Sequence, residues 1–344
     1  MKHDQPLPSR AQSSQPQAGE PAFGESHYTP PRFSIVGDVS VDLVLGTLTD
    51  WPKIGTEQLL PRSELRAGGS AANSALAARH LGLSPHLIGA IGDDDLAQWL
   101  LLQLSGIRVE LQTCASDTTM SVGLLHADGE RTFFTSYGHL QHLTPDFVLE
   151  HLPRASAGSV ALFTAPFLLP GLREHFAQLL AEASLRGYRV ALDTGWPPEG
   201  WTPRVHEEVE GWLAHCDHLL VNELEAMSIA NLDDGGGDLQ RAVQRVAGLL
   251  KPGAHLIVKL GAAGALGHVD GRSVRHVTDA VADIFDTVGA GDSFNTGYLA
   301  ACLNRASLSD ALAAGCRTAA AILPRFPRKR IAAGELAHCL QPQT

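Results

Sequence analysis

Apolar positions along the chain follow two alternating patterns. Short, nearly continuous apolar runs over 33–36, 86–91, 159–163, 188–193, 218–221 and 255–260 read as β-strands. Between them, apolar residues recur every three or four positions, which predicts helices over 70–81, 96–105, 172–186, 207–215, 239–250, 291–303 and 310–323. In 172–186, for instance, Phe176, Leu179, Leu180 and Ala183 share one helical face. Strands that are apolar on both faces and separated by helices imply a mainly parallel sheet covered on both sides, an α/β layer sandwich. Two stretches, 41–66 and 118–136, carry strand-like runs but no helix of their own, with a turn at Asp128-Gly129. They predict a small antiparallel sheet standing off the main layer, as a lid or a dimer surface. Residues 1–31 are rich in Pro, Gln and Ser and poor in large apolar side chains, so they read as a disordered tail ahead of one domain over 32–344.

Composition narrows the class. Hydrophobic residues are 44% of the 344 and charged residues 18%, enough for a sizeable buried core. No apolar run approaches the ~20 residues that span a bilayer, and no secretory signal is expected. A net charge of −11 opposes nonspecific binding to nucleic acid, though not the local capture of a small phosphorylated ligand. The five cysteines are scattered and form no Cys-x-x-Cys pair, the usage of reduced thiols in a cytoplasmic enzyme.

The chemistry concentrates in three glycine- and aspartate-rich segments. In the run from Asp286 to Asn295, Gly289-Ala290-Gly291 precedes a helical pattern. Such a turn leaves backbone N–H groups clustered at the positive end of a helix, a site for anionic oxygen. Asp292 lies inside that site, where an ionised carboxylate could accept a hydroxyl proton during attack on a phosphoryl group. Local chemistry alone leaves open a plain tight turn capped by Asp292. In the second segment, Gly68-Gly69 permits close backbone approach, and Asn73 offers a donor and an acceptor from the first turn of an alanine-rich helix. In the third, strand alternation after Gly37 sets Asp38, Ser40 and Asp42 on one face, where carboxylates could hold polyol hydroxyls. Helix capping and a solvated strand edge remain the alternatives for these two.

Together, Gly68–Gly82 and Asp286–Asn295 resemble the two signatures of the ribokinase-like (PfkB) carbohydrate kinase family, and the likeness covers residues 33–323. The resemblance implies a ribokinase-like three-layer α/β/α sandwich with a small β-sheet lid, ATP and magnesium as cofactors, and Asp292 as base. It further implies that Asn222 and Glu225 position magnesium and nucleotide phosphates, mostly through water. Lys259, Gly261, Gly264 and Thr287 would bind nucleotide, with 310–323 beside the adenine. Asp42, Gly68, Gly69 and Asn73, with Asp38 and Ser40, would bind the acceptor. Asp286 would serve a monovalent cation, potassium in the family. The lid would clasp a homodimer. Arg66 and Arg131 are the only basic residues expected near the acceptor, which points to a small unphosphorylated sugar or sugar acid. A nucleoside acceptor is the alternative, and a catalytically idle sugar-binding protein a more distant one.

Overall fold

The computed structural model describes Met1 and residues 32–127, 131–232 and 238–341, so the 1–31 tail beyond Met1 and the Asp128-Gly129 turn lie outside the described residues. In chain order the strands are β1 (Phe33–Val36), β2 (Ser40–Leu48), β3 (Arg62–Gly68), β4 (His86–Ile91), β5 (Arg108–Thr113), β6 (Met120–His126), β7 (Arg131–Thr135), β8 (Val160–Thr164), β9 (Arg189–Asp193), β10 (His218–Asn222), β11 (His255–Lys259), β12 (Ala265–Val269) and β13 (Arg272–His276). The helices are α1 (Ser70–His80), α2 (Asp95–Gln103), α3 (Pro145–His151), α4 (Pro170–Arg173), α5 (Phe176–Leu185), α6 (Pro203–Leu213), α7 (Glu223–Ile229), α8 (Leu239–Ala247), α9 (Ala290–Leu303) and α10 (Leu308–Ile322).

Nine strands form the main sheet in the order β13-β12-β11-β10-β9-β8-β1-β4-β5. From β11 to β5 every pairing is parallel, and β12 and β13 add an antiparallel edge. Strands β1, β4 and β8 are buried at every position because helices cover both faces. One apolar layer includes Phe163, Phe176 and Trp212; the other includes Ala71, Ala75, Leu220 and Tyr298. Alanine dominates the buried face of α1, and its small side chains let that helix lie close to α9.

The order of strands places the site. Ligands in open α/β sheets bind beyond the carboxyl ends of the strands. Asp38, Asp193, Asn222 and Lys259 all sit at or just past such an end.

The smaller sheet, β3-β2-β6-β7, differs from the antiparallel sheet expected. Its central pair, β2 with β6, is parallel. Both strands continue from strands of the parallel main sheet, β2 from β1 and β6 from β5, and so leave it in the same direction. The helix expected over 172–186 is broken at Glu174 and His175 into α4 and α5. Leu172 and Phe176 are both buried across the break, so apolar spacing alone does not reveal it. Among the described residues no helix is long and apolar enough to cross a membrane.

Candidate active site

The glycine bend before α9 opens to solvent. Gly289 is the N-cap at φ 73°, a left-handed conformation that glycine adopts without penalty. Gly291 is exposed and Asp292 retains partial exposure. The Ala290 N–H closes the turn on the Thr287 carbonyl at 3.2 Å, and the Ser293 N–H donates to the Gly289 carbonyl. The Gly289, Gly291 and Asp292 amides have no acceptor among the described residues, so they are donors left for an anion.

Asp292 stands in the first turn of α9, where Asn73 Nδ2 of α1 donates to its Oδ2 at 3.0 Å. The two glycine-rich segments therefore meet at this carboxylate. Although its rim is open, protein surrounds most of the carboxyl. That burial first, and then the charges of Asp193 and Asp38, push it up to about 7.

On the acceptor side, β2 and β3 pair Ser40 with Gly68 and Asp42 with Arg66. Ser40 Oγ donates to Asp42 Oδ1 at 3.2 Å. Burial pushes Asp42 up to about 6 against the opposing charge of Arg66. A side chain at position 68 would place its Cβ 1.9 Å from the Asp42 carboxyl carbon, so the Asp42 carboxylate occupies space that only a glycine there leaves free. Asp38 lies between β1 and β2 rather than in the alternation with Ser40 and Asp42. Its carboxylate accepts from the Ser70 and Ala71 amides and the Thr164 hydroxyl, capping α1 across the gap left by Gly69. Its oxygens are thus occupied within the protein.

On the nucleotide side, a buried polar cluster spans three elements. Lys259 Nζ, at the end of β11, lies 2.7 Å from Asp193 Oδ2 at the end of β9 and 3.3 Å from Asn295 Oδ1 of α9. Asn295 Nδ2 donates to the same Asp193 oxygen. Burial opposes the lysine charge, but Asp193 and Glu225 outweigh it and hold the ammonium above its usual range. A Cβ at Gly291 would lie 3.8 Å from Lys259 Nζ, which puts the cation beside the glycine bend. Asn222 caps α7 in a reciprocal capping box with Glu225, each accepting the other's backbone N–H at 2.8 Å. Glu225 is buried, and burial together with Asp193 pushes its carboxyl upward. The turn Gly261–Ala263 that follows Lys259 is exposed, and Gly264 abuts the His276 carbonyl.

Asp286 is fully engaged by protein. Its Oδ1 accepts the Val288 N–H at 2.7 Å and lies 3.3 Å from Arg328 Nη2, and its Oδ2 accepts Arg66 Nη1 at 2.9 Å. Burial raises a carboxyl, but Arg328 and then Arg66 outweigh it and hold this one below its usual range. Arg328 also donates to the backbone carbonyls of Asp286 and Val288. The oxygens expected to ligate a monovalent cation are therefore held by a guanidinium, and the residues present do not fit that ion. Thr287 accepts from Arg131 of β7 at 2.8 Å, and Arg62 of β3 donates to the Phe285 carbonyl. Three lid arginines thus grip the segment that leads into the bend.

Asp193 and Arg328 bring charge to the site from outside the glycine motifs, Arg66 does so from just before one, and Asn295 adds a neutral carboxamide at the end of the other. Asp193 was findable by the same strand-end rule that selects Asp38. Asn295 follows Asp292 by three residues and so lies on the same face of α9. His215 with His218, and His139 with His142, have the three-residue spacing of metal ligands, but among the described residues no group of three or more His, Cys, Asp or Glu side chains could hold a metal ion. His218 bonds Tyr298, and His139 bridges Thr119 and Val39.

A model of the pfkB family of carbohydrate kinases matches residues 32–326. The fructokinase of Klebsiella pneumoniae is 30% identical over 260 residues, 70% of this chain and 80% of its own length. The 2-dehydro-3-deoxygluconokinase of Escherichia coli (strain K12) is 26% identical over 262 residues, 70% of this chain and 81% of its own. The fold is similar to that of Arabidopsis thaliana ribokinase complexed with ribose and ATP, with a TM-score of 0.74 at 22% identity over 92% of this chain and 100% of that one. It is equally similar to the adenosine kinase of Sinorhizobium meliloti, with a TM-score of 0.75 at 19% identity over 90% and 99%. With the match taking in the whole of both sheets and the bend that carries Asp292, the chain belongs to the pfkB family of carbohydrate kinases.

Proposed function

We propose that the chain transfers the γ-phosphoryl group of ATP to a hydroxyl, preferably primary, of a small unphosphorylated sugar or sugar acid. One observation carries this reading: a carboxylate partly open to solvent in the first turn of α9, bonded to Asn73 and preceded by the unpaired amides of Gly289 and Gly291. Asp42 and Asn73 hold acceptor hydroxyls, and Asp292 takes the proton of the attacking one. The acceptor oxygen then bonds to the γ-phosphorus as the bond to the leaving ADP oxygen breaks. The Gly289 and Gly291 amides and the Lys259 ammonium meet the charge on the transferred group. The lid excludes water, which limits transfer to solvent.

Magnesium suits the oxygen donors of Asn222 and Glu225. Among the described residues no three acidic or histidine side chains form a direct cage, which fits an ion that keeps most of its waters. Bound with ATP, it would supply neutralising charge to the phosphates. The exposed turn Gly261–Ala263 and α10 would flank the adenine.

An unphosphorylated acceptor is supported by the two arginines expected nearby. Arg66 is met by Glu64 and Asp286, and Arg131 by Thr287. The lid's outer face, with Trp51, Phe133, Phe134 and Tyr137 exposed, would meet a second copy of the chain. Turnover of ATP with magnesium against fructose, ribose, 2-dehydro-3-deoxygluconate, adenosine and fructose 6-phosphate tests the assignment. One of the first three should dominate. Preference for adenosine or for the phosphosugar would overturn the substrate class, and no turnover with any would overturn the activity.

A further inference from the structure

Arg328 lies two residues past the end of the family match, in the turn Arg328–Arg330. Its side chain is 11% exposed. The segment before it is fixed by Phe326, whose ring stacks on Phe285 at 4.7 Å. Beyond it, Ile331 packs into an apolar cluster with Leu81, Ala300 and Ile322. The guanidinium thus has a defined position, with one carboxylate oxygen and two carbonyl oxygens around it: Asp286 Oδ1, the Asp286 carbonyl and the Val288 carbonyl. Carboxylate and carbonyl oxygens of this kind also replace the water shell of a dehydrated potassium ion.

We propose that Arg328 is a built-in cation that takes the place of a monovalent metal ion, fixing the bend for phosphoryl transfer and making turnover independent of potassium. This inference rests on the reading of the bend as the phosphoryl site. In a trans peptide the C=O and the next N–H point in opposite directions. Anchoring the Asp286 and Val288 carbonyls on Arg328 therefore turns the Thr287 and Gly289 amides to the other side. The Gly289 amide is one of the donors left unpaired at the bend. Arg328 touches neither ATP nor acceptor in this account, so it is a positioning residue.

The charge balance agrees. Asp286 already faces two guanidiniums, with Arg66 Nη1 at 2.9 Å and Arg328 Nη2 at 3.3 Å, so a metal ion beside it would meet their repulsion. Burial lowers Arg328 to about 10 with Asp286 opposing the shift, which leaves it protonated at neutral pH. Lysine could not reproduce the arrangement, because its single ammonium has no planar fork to span three oxygens.

The test uses the full chain, freed of potassium and ammonium and held in tetramethylammonium chloride or in potassium chloride of equal ionic strength. Turnover is measured with ATP, magnesium and fructose, ribose or 2-dehydro-3-deoxygluconate, and melting temperature is measured in parallel. The wild-type chain should turn over and melt alike in both salts. Arg328→Ala should lose about 10²-fold in kcat in tetramethylammonium, recover most of it in potassium or on adding guanidinium ion, and gain melting temperature selectively in potassium. Should that variant fold poorly, Arg328→Lys should keep part of the rate and respond little to potassium. A wild-type rate that rises severalfold with potassium would overturn the inference while leaving the kinase reading intact. So would an Arg328→Ala variant that keeps its full rate in tetramethylammonium, or one that potassium rescues in neither rate nor melting temperature. Absence of turnover in every salt would overturn the kinase reading instead, and the potassium-selective melting shift would still decide on the cation.

Discussion

Replacing Asp292 by asparagine removes a base while disturbing its surroundings little. Asparagine has nearly the same shape, and its amide oxygen can still accept from Asn73 Nδ2, which lies 3.0 Å from Asp292 Oδ2. What disappears is the capacity to take the acceptor's proton, so kcat should fall by about 10²–10⁴, or about 3–5 kcal/mol of barrier. The pH profile gives a second, independent magnitude. With the carboxyl pushed up to about 7, roughly a tenth of the molecules hold it ionised at about pH 6 and roughly nine tenths at about pH 8. Wild-type kcat/KM should therefore rise roughly ninefold over that interval, since it reports the free enzyme, whereas the residual kcat/KM of Asp292→Asn should stay flat. Glu225 is the necessary control. Burial and Asp193 push it upward too, and both carboxyls act on Lys259, so the observed titration belongs to the cluster until one member is removed. Glu225→Gln should keep the acid limb. The assay couples ADP release to NADH oxidation across the pH range, with ATP affinity measured separately by calorimetry. An Asp292→Asn variant with kcat close to wild type would refute the reasoning. An acid limb that survives in Asp292→Asn and vanishes in Glu225→Gln would refute it as well.

Three further outcomes follow from the packing. Gly68→Ala must drive the Asp42 carboxyl aside, because the new Cβ would lie 1.9 Å from its carboxyl carbon. Steady-state kinetics should show acceptor KM rising about tenfold with ATP KM unchanged, whereas equal rises in both would detach Asp42 from the acceptor. Asp38→Ala leaves the Ser70 and Ala71 amides and the Thr164 hydroxyl without their acceptor. Denaturant unfolding should show a loss of about 1–3 kcal/mol, and an unchanged midpoint would mean that α1 is held by other contacts. Phe134→Lys places a charge on the lid's exposed apolar face. Light scattering should find the wild type dimeric and the variant monomeric, and a wild-type monomer would remove the lid clasp.

Legibility in the sequence followed burial. The strands β1, β4 and β8 at the centre of the main sheet are buried at every position and mostly apolar, and their runs stand out within a residue or two of their observed ends. β5 is different: Arg-Val-Glu-Leu-Gln-Thr alternates at the sheet edge, half-buried at most, and shows no apolar run. The hairpin of β12 and β13 does carry a local signal, Asp270-Gly271 between its strands. Asp270 and Gly271 both take positive φ, 46° and 76°, the pair of angles an Asp-Gly hairpin turn requires. Helices α3 and α7 are seven residues each, too short to establish a period. The parallel pairing of β2 with β6 was unreadable for another reason. Strand direction in the lid is set by the main-sheet strands that precede each member, not by the lid residues.

The functional site divides along the same physical line. Glycine bends and the residues fixed to them were legible because backbone conformation constrains residue type locally: Gly289 needs its left-handed φ, and Asp292 follows three positions on. Electrostatic partners carry no such local constraint. Arg66 and Asp286 are 220 residues apart, and Lys259 and Asp193 are separated by 66, so nothing near either partner announces the pair. Arg66 stands beside a recognised motif and is one of two basic residues expected near the acceptor; Glu64, two residues away, is visible beside it, but its pairing with Asp286 is supplied by the fold. Sequence therefore identified where phosphate-like charge can be received. Which cations are already neutralised there, and hence which acceptor and which ion the site will accept, is decided by tertiary pairing.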